Sequence, residues 1–370
     1  MVSLAGGRWQ PRLLAGGPGL AAWGRVAEPT GAMKALGKIA ALALGLALFG
    51  WYLTRADLRA VGEVLQRLGW LAPVALLPYF CVYVVDCLGW RFCLPAALPV
   101  SFLTLFRIRW AGEAVNNVVP SAYVGGETVK VYLLRRRGVQ TQAGTSAAVV
   151  SKTAQSVAQL ILILLAAIAF LRLAGDQPGL PLAMLLVLAG GTAILAGLFW
   201  MQRRGLFGSL LAVAAALRLR FRFLERRREK IIEVDRAITG FYRCQRPRFF
   251  ASTAFYLGGW LLDTMEIYLV AHLLGLPITW TQALAVEGFT GVVKALGMWV
   301  PGSLGIQEAG IVALGRLAGL PDTLAVAYAL LRRGREVIFA GAGWLLLYAD
   351  HASLQAIKSE AAAGATPPGR

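Results

Sequence analysis

Acidic and basic residues stand inside long apolar segments of this chain, where ionisable groups are unusual. A charge at the centre of a membrane-spanning helix costs roughly 2.5–3.5 kcal/mol on insertion scales, so it usually faces a cavity or a partner. Near helix breaks, freed backbone amides also attract anions. The residues assigned to such a cavity are Glu127, Glu308, Arg333, Arg335 and Glu336. The chemistry expected of these residues is the binding of a polar group. The acids permit coupling of substrate movement to protons, and passive movement of the substrate is equally open.

A structural role in ion pairs is the alternative for the other ionisable residues in apolar segments. It is the preferred interpretation for Asp86, Arg91 and Lys152, because they lie within or near the ends of spans. Asp263 and Glu266 lie one turn apart on one helical face. The remaining members of this set are Glu113, Glu287, Lys294 and Arg332.

Covalent catalysis, metal binding and cofactor binding are not predicted. The sequence has no GxSxG, Walker or HExxH motif, and Gly125–Thr128 lacks the lysine of a phosphate-binding loop. Its two histidines, His272 and His351, are far apart, and none of its four cysteines forms a CxxC pair. The net charge is +18, and the basic residues lie between apolar runs. This position favours loops that lie beside anionic lipid over a nucleic-acid-binding surface.

Six apolar runs must position these residues, each near the ~20 residues that cross a bilayer. The 370-residue chain is 58% hydrophobic and only 15% charged, which is typical of an all-α integral membrane protein. The predicted spans are 34–53, 70–94, 144–171, 180–201, 249–274 and 323–349.

Two further stretches, 99–138 and 281–320, are apolar but are broken in the middle by proline and glycine. Such breaks are tolerated at membrane depth only where the backbone is buried in protein or lines a cavity. We therefore expect two re-entrant helical hairpins. The candidate cavity residues at their breaks are Asn116, Asn117, Pro120, Gly126, Pro301, Gly305 and Gln307.

The segment 202–248 orients the chain, because it holds thirteen Arg or Lys residues against four acids. Positive residues favour the cytoplasmic side, so this loop and both termini are predicted to be cytoplasmic in a bacterial inner membrane. We expect one membrane domain over 34–350. Residues 1–33 are a disordered tail, unless the true start is Met33, and 351–370 form a second tail.

An internal repeat links the two hairpins. Val119-Pro120 and Val300-Pro301 are each followed by a glycine-containing turn and by a glutamate seven residues past the proline. We call residues at equal distances from the two prolines counterparts. They include Glu113 and Lys294, Glu127 and Glu308, Gly138 and Gly319, Lys152 and Arg333, and Gln155 and Glu336. With the predicted topology, units 70–171 and 249–349 are inverted relative to each other, a build that suits alternating access.

These motifs also resemble a known family. Asn116–Pro120 with Gly126-Glu127, and then Val300–Glu308, resemble two signatures of the lysylphosphatidylglycerol synthase transmembrane-domain (flippase-like) superfamily. Leu331–Glu336 is most similar to its hopanoid-biosynthesis-associated branch. The resemblance implies lipid translocation or an accessory role in lipid handling, without fixing the substrate.

The leading hypothesis is therefore a flippase or transporter for a membrane lipid, which includes hopanoids and other lipids with a polar head. Its site would lie between the hairpins, with Glu127 and Glu308 at opposite gates. The alternative is a non-transporting scaffold that docks lipid-biosynthesis enzymes through 202–248. An intramembrane enzyme would need a nucleophile and base that the sequence does not offer.

Overall fold

The computed structural model describes residues 63, 66, 68–95, 100–118, 124–173, 179–204, 238–242, 245–297, 300 and 303–349. Several predictions fall outside these ranges. They concern the tails 1–33 and 351–370, the span 34–53, most of the loop 202–248, and the two prolines Pro120 and Pro301.

All regular structure in the described ranges is helical, so the all-α class is confirmed there. A 3-10 turn (Gly69–Leu71) leads into the first of nine described α-helices. They are α1 (Ala72–Cys93), α2 (Phe102–Val118), α3 (Val124–Arg136), α4 (Thr141–Leu173), α5 (Leu180–Arg204), α6 (Arg246–Leu273), α7 (Trp280–Leu296), α8 (Ile306–Leu317) and α9 (Asp322–Ala349).

Three described helical segments are long and apolar enough to cross a membrane. They are Gly69–Cys93, Thr141–Leu173 and Leu180–Gly197, which agree in position with the predicted spans 70–94, 144–171 and 180–201. Helices α6 and α9 have 28 residues each, which is about 42 Å and longer than a bilayer core. Both carry charges at their centres, so their crossing of the membrane stays a prediction.

Each stretch predicted as a hairpin consists of two helices packed against each other, α2 with α3 and α7 with α8. Both second arms end on a glycine in the left-handed region, Gly138 with φ 85° and Gly319 with φ 75°. The amide of Gly138 donates to the Arg135 carbonyl at 3.0 Å, and that of Gly319 to the Arg316 carbonyl at 3.1 Å. Glycine adopts this conformation without a steric penalty. The counterpart glycines therefore end counterpart helices in the same way.

The hairpins exchange neighbours across the fold. Helix α2 of the first hairpin packs against α9, whereas α7 of the second hairpin packs against α4. Counterpart helices α1 and α6 pack extensively against each other. Helix α4 also contacts α6, whereas α5 packs chiefly on α4. Each hairpin thus lies against the long helix that follows the other hairpin.

Small residues bring these exchanged helices close together. In the α4–α7 seam, the Cα of Gly288 faces Ala166 so closely that a Cβ would overlap it. In the α2–α9 seam, a Cβ on Gly343 would lie 2.5 Å from that of Ala114. The Trp110 indole N–H in this second seam donates to the Phe339 carbonyl at 2.8 Å. Both seams are therefore closed in this structure.

Helix α5 is the least buried of the three described segments that could cross a membrane. Its exposed side chains include Leu182, Leu185, Leu186 and Ile194. A helix that is apolar on its open face suits contact with lipid acyl chains rather than water. This agrees with its place at the edge of the packed helices.

Candidate functional site

The second hairpin is tied to α9 by a continuous set of ion pairs. Glu308 on α8 contacts Arg333 on α9 at 2.5 Å, and Arg333 reaches Glu336 at 3.0 Å. Glu336 also accepts from Lys294 of α7 and from the Gln307 amide, both at 3.1 Å. Four of the predicted cavity residues therefore meet in one place. We call these five residues the second hairpin cluster.

The break before α8 is closed by the protein itself. Gly305 has a φ of 79°, which favours glycine, and its amide donates to the Glu308 carboxylate at 2.7 Å. Ser303 donates its hydroxyl to the Lys294 carbonyl at 3.1 Å. The freed amide at this helix start, where the sequence predicts that an anion is attracted, is satisfied in this structure by the carboxylate of Glu308.

The first hairpin carries an equivalent set of ion pairs. Glu127 on α3 contacts Lys152 on α4 at 3.3 Å, and Lys152 reaches Gln155 at 3.1 Å. Lys130 binds Glu127 at 2.9 Å and Glu113 at 2.8 Å. These five residues form the first hairpin cluster. The sequence reasoning missed Lys130, although its position one turn after Glu127 is a pairing signal.

The two clusters join counterpart residues. The Glu127–Lys152 contact is the counterpart of Glu308–Arg333, and both link a second hairpin arm to the helix that follows it. The i,i+3 contacts from Lys152 to Gln155 and from Arg333 to Glu336 also correspond. Residues that are counterparts in the sequence thus make corresponding contacts in the structure.

Asn116 clamps the two arms of the first hairpin together. Its side-chain oxygen accepts from the Gly126 amide at 2.8 Å, and Asn116 is buried. A Cβ on Gly126 would overlap the Gly112 carbonyl and the Asn116 side chain. The candidate cavity residue Asn116 thus uses its side-chain oxygen to accept from a backbone amide of the other arm. Asn117 lies beside it, half-buried.

Arg335 lies in a separate, deeper group. Its guanidinium contacts Glu266 and lies 3.2 Å from Asp263, both on α6, and it stacks 3.7 Å over the Tyr79 ring. Next to it on α9, Arg332 contacts Glu287 of α7 at 2.6 Å. Arg335, one of the cavity candidates predicted from the sequence, therefore lies outside the second hairpin cluster.

Another pair that sequence reasoning missed involves Arg109 of α2. It contacts Asp86 on α1 and lies 3.0 Å from Glu113 one turn further along its own helix. The i,i+4 spacing to Glu113 was the available signal, whereas the contact with Asp86 depends on how α1 meets α2.

The hairpin clusters are more open than the deep group. The side chains of Lys152, Lys294, Arg333 and Glu127 are 35%, 23%, 17% and 16% exposed, whereas those of Arg335 and Glu266 are at 1% and 0%. Glu127 and the basic groups Lys152, Lys294 and Arg333 are thus partly accessible, whereas Glu308 and Glu336 are only 1% and 8% exposed. The accessible groups can bind a charged or zwitterionic headgroup and can exchange partners as helices move.

A surface ion pair provides a reference outside this region. Arg316 donates two hydrogen bonds of 2.8 Å to Asp322 at the first turn of α9, and these bonds lower the pKa of the Asp322 carboxyl. Within the described ranges, no group of three His, Cys, Asp or Glu residues is arranged to hold a metal ion.

Comparison with known proteins decides the family. The sequence pattern of the lysylphosphatidylglycerol synthase TM region matches residues 38–342. The chain belongs to this family. It is an integral, multi-pass membrane protein, and the lysylphosphatidylglycerol synthase TM region includes both hairpin clusters and the deep group.

One similar protein is the UPF0104 membrane protein PH1989 of Pyrococcus horikoshii. It is 27% identical over an alignment of 277 residues that covers 70% of this chain and 81% of the relative. No solved structure is significantly similar to the chain.

Proposed function

We propose that this member of the lysylphosphatidylglycerol synthase TM region family moves a polar-headed lipid between the two leaflets of its membrane. The supporting observation is the pair of matched contacts, Glu127–Lys152 and Glu308–Arg333, in partly open clusters within apolar helices. Ionised groups inside apolar helices pair with one another or face a cavity, and partly open pairs can in addition bind a polar substrate or exchange partners. When a lipid moves between leaflets, its headgroup is the polar part that must cross the membrane interior.

We further propose that the two halves are inverted copies and that their hairpins are re-entrant. The exchanged packing of α2 on α9 and of α7 on α4 supports this, because a twofold axis in the membrane plane would relate the two contacts. In this arrangement the first hairpin would open the α2–α9 seam toward one face of the membrane, and the second would open the α4–α7 seam toward the other. Rocking of one half against the other exposes the clusters to the two leaflets in turn.

The orientation follows from charge in this proposal. The basic segment 202–248 faces the cytoplasm, the membrane is the bacterial inner membrane, and both termini are cytoplasmic. Under this orientation the first hairpin enters from the cytoplasm and the second from the opposite side.

The proposed substrate is a hopanoid or another lipid with a polar head. The hopanoid part of the proposal derives from the resemblance of Leu331–Glu336. Two of these residues, Arg333 and Glu336, belong to the second hairpin cluster. This segment therefore lies where a headgroup would pass.

Reconstitution into liposomes tests the proposal. Fluorescent phosphatidylglycerol, phosphatidylethanolamine and hopanoid probes are added, and a membrane-impermeant quencher reports how much probe crosses. We expect faster crossing than in empty liposomes, and a strong loss in the double variant Glu127→Gln with Glu308→Gln. The matched control is Asp322→Asn, which removes an exposed acid outside the clusters. Equal rates with and without protein for all three probes would refute lipid translocation.

A further inference from the structure

The buried ion pairs around Arg332 and Arg335 contain more acids than bases. Their carboxylates are Asp263, Glu266 and Glu287, and their guanidiniums are those of Arg332 and Arg335. All five residues are at most 5% exposed. We call them the central network. With every group ionised, this buried network would carry one uncompensated negative charge.

The neighbouring clusters do not supply the missing positive charge. The described ion pairs balance Glu308 and Glu336 with Arg333 and Lys294. In the first half, three acids pair with three bases: Asp86, Glu113 and Glu127 with Arg109, Lys130 and Lys152. Among the described residues, the excess therefore belongs to the central network alone.

Helices α1, α4, α7 and α9 pack on α6 around this network. Helix α4 faces α6 through Ser151, whose hydroxyl lies 2.5 Å from that of Tyr256. The titratable and charged groups turned toward the network are Tyr79, Tyr83 and Asp86 of α1, Glu287 and Lys294 of α7, and Tyr328, Arg332, Arg335 and Glu336 of α9. The tyrosines are neutral, Asp86 is held by Arg109, and Lys294 is held by Glu336.

Two sets of contacts show which carboxylates of the network are incompletely paired. Arg335 alone serves both Asp263 and Glu266, which lie one turn apart on α6. Glu287 places one oxygen on Arg332 and Tyr328, whereas its other oxygen is buried without a hydrogen-bond partner. An unpaired carboxylate in a low-dielectric interior is unfavourable enough that the group takes up a proton instead.

We propose that Asp263, Glu266 and Glu287 share one exchangeable proton, and that lipid movement is coupled to its passage across the membrane. An acid O–H bond forms when water on one face supplies the proton, and it breaks when the proton leaves to water on the other face. The three acids lie on α6 and α7, and both bases lie on α9. Movement of α9 relative to α6 and α7 would therefore change which acid needs the proton.

Infrared spectroscopy of the protein in lipid nanodiscs tests the proton site without any transport. A protonated carboxyl has its own C=O stretching band. We expect the wild type to show this band and each single variant, Asp263→Asn, Glu266→Gln or Glu287→Gln, to lose it, because one neutral residue removes the excess charge. Asp322→Asn should keep the band. A wild type without the band, or a band that survives all three substitutions, overturns the proposal.

Thermal unfolding provides a second measurement that does not depend on activity. The single variants on α6, Asp263→Asn and Glu266→Gln, should each unfold close to the wild-type temperature, because each leaves Arg335 with one acid, whereas the double variant should unfold much earlier, because Arg335 loses both. If either single variant is as unstable as this double variant, both acids are ionised and the proposal is wrong.

The coupling itself rests on the proposed lipid translocation. With one proton per lipid, a gradient of one pH unit across liposomes should sustain up to about tenfold asymmetry of a zwitterionic probe between leaflets. A protonophore should abolish this asymmetry, and the single variants should not respond to the gradient. A wild type that moves lipid to an even distribution under the gradient overturns coupling. Absence of lipid movement together with an intact infrared band refutes the proposed function but not the proton site.

Discussion

Glu308 and Arg333 form an ion pair of 2.5 Å between α8 and α9, and Glu308 is almost completely buried. Its counterpart, Glu127 with Lys152, is longer at 3.3 Å and more open to the surroundings. The second hairpin is therefore held more tightly than the first in this structure. This difference leads to a stability prediction for the two glutamates.

Glu308→Gln should destabilise the protein more than Glu127→Gln. The first change breaks a buried pair between α8 and α9, a loss of about 3–5 kcal/mol. The second change leaves Lys130 bound to Glu113 and should cost less, because the other partner of Glu127, Lys152, is 35% exposed. Unfolding of both variants in the same detergent measures the difference. Equal losses would contradict the unequal burial of the two pairs.

Gly126→Ala should separate α2 from α3. A methyl group there overlaps the Gly112 carbonyl and the Asn116 side chain, which also accepts from the Gly126 amide. Overpacking of this kind typically costs about 1–3 kcal/mol. The matched control is Gly190→Ala on α5, where a methyl group meets open space. An unfolding temperature for Gly126→Ala that equals that of this control would show that the arms are not in close contact.

Reversible cross-links across the two seams should stop lipid movement. In a cysteine-free background, Ala166→Cys with Gly288→Cys would link α4 to α7, and Ala114→Cys with Gly343→Cys would link α2 to α9. Small relaxations would bring both pairs to disulfide distance. Because rocking requires both seams to move, each disulfide alone should block probe crossing, and a reductant should restore it. Full transport in either oxidised form would exclude rocking at that seam.

Lowering the positive charge of the segment 202–248 distinguishes the transporter hypothesis from the scaffold hypothesis. Changing Arg226, Arg227 and Arg228 to Gln removes three of the charges in the segment 202–248. A transporter should keep at least half of its probe-crossing rate in liposomes of neutral lipid. A scaffold would instead lose co-purification with lipid-biosynthesis enzymes. Loss of crossing with correct folding would show that this segment takes part in transport.

The sequence predicted the features that depend on local spacing. The counterpart glycines Gly138 and Gly319, and the alignment of Glu127 with Glu308, were visible because equal distances along the chain need no knowledge of packing. Hydropathy similarly placed the segments of α1, α4 and α5, because a membrane span is defined by length and apolar content.

The sequence could not supply contacts between distant helix faces. Asp86 meets Arg109, and Glu287 meets Arg332, only because particular faces of α1, α2, α7 and α9 are turned toward each other. For the same reason Arg335 was assigned to the hairpin region, although it neighbours Glu336 in the chain and points to α6 instead. Adjacent residues on a helix point about 100° apart, so they can join different groups.

Side-specific labelling of the two hairpin breaks tests the inverted arrangement most directly. In a chain whose four cysteines are replaced, Ala122→Cys and Leu304→Cys are exposed separately to a membrane-impermeant maleimide in right-side-out and inside-out vesicles. The account predicts labelling of position 122 only from the cytoplasmic face and of position 304 only from the opposite face. Labelling of both positions from the same face would contradict it.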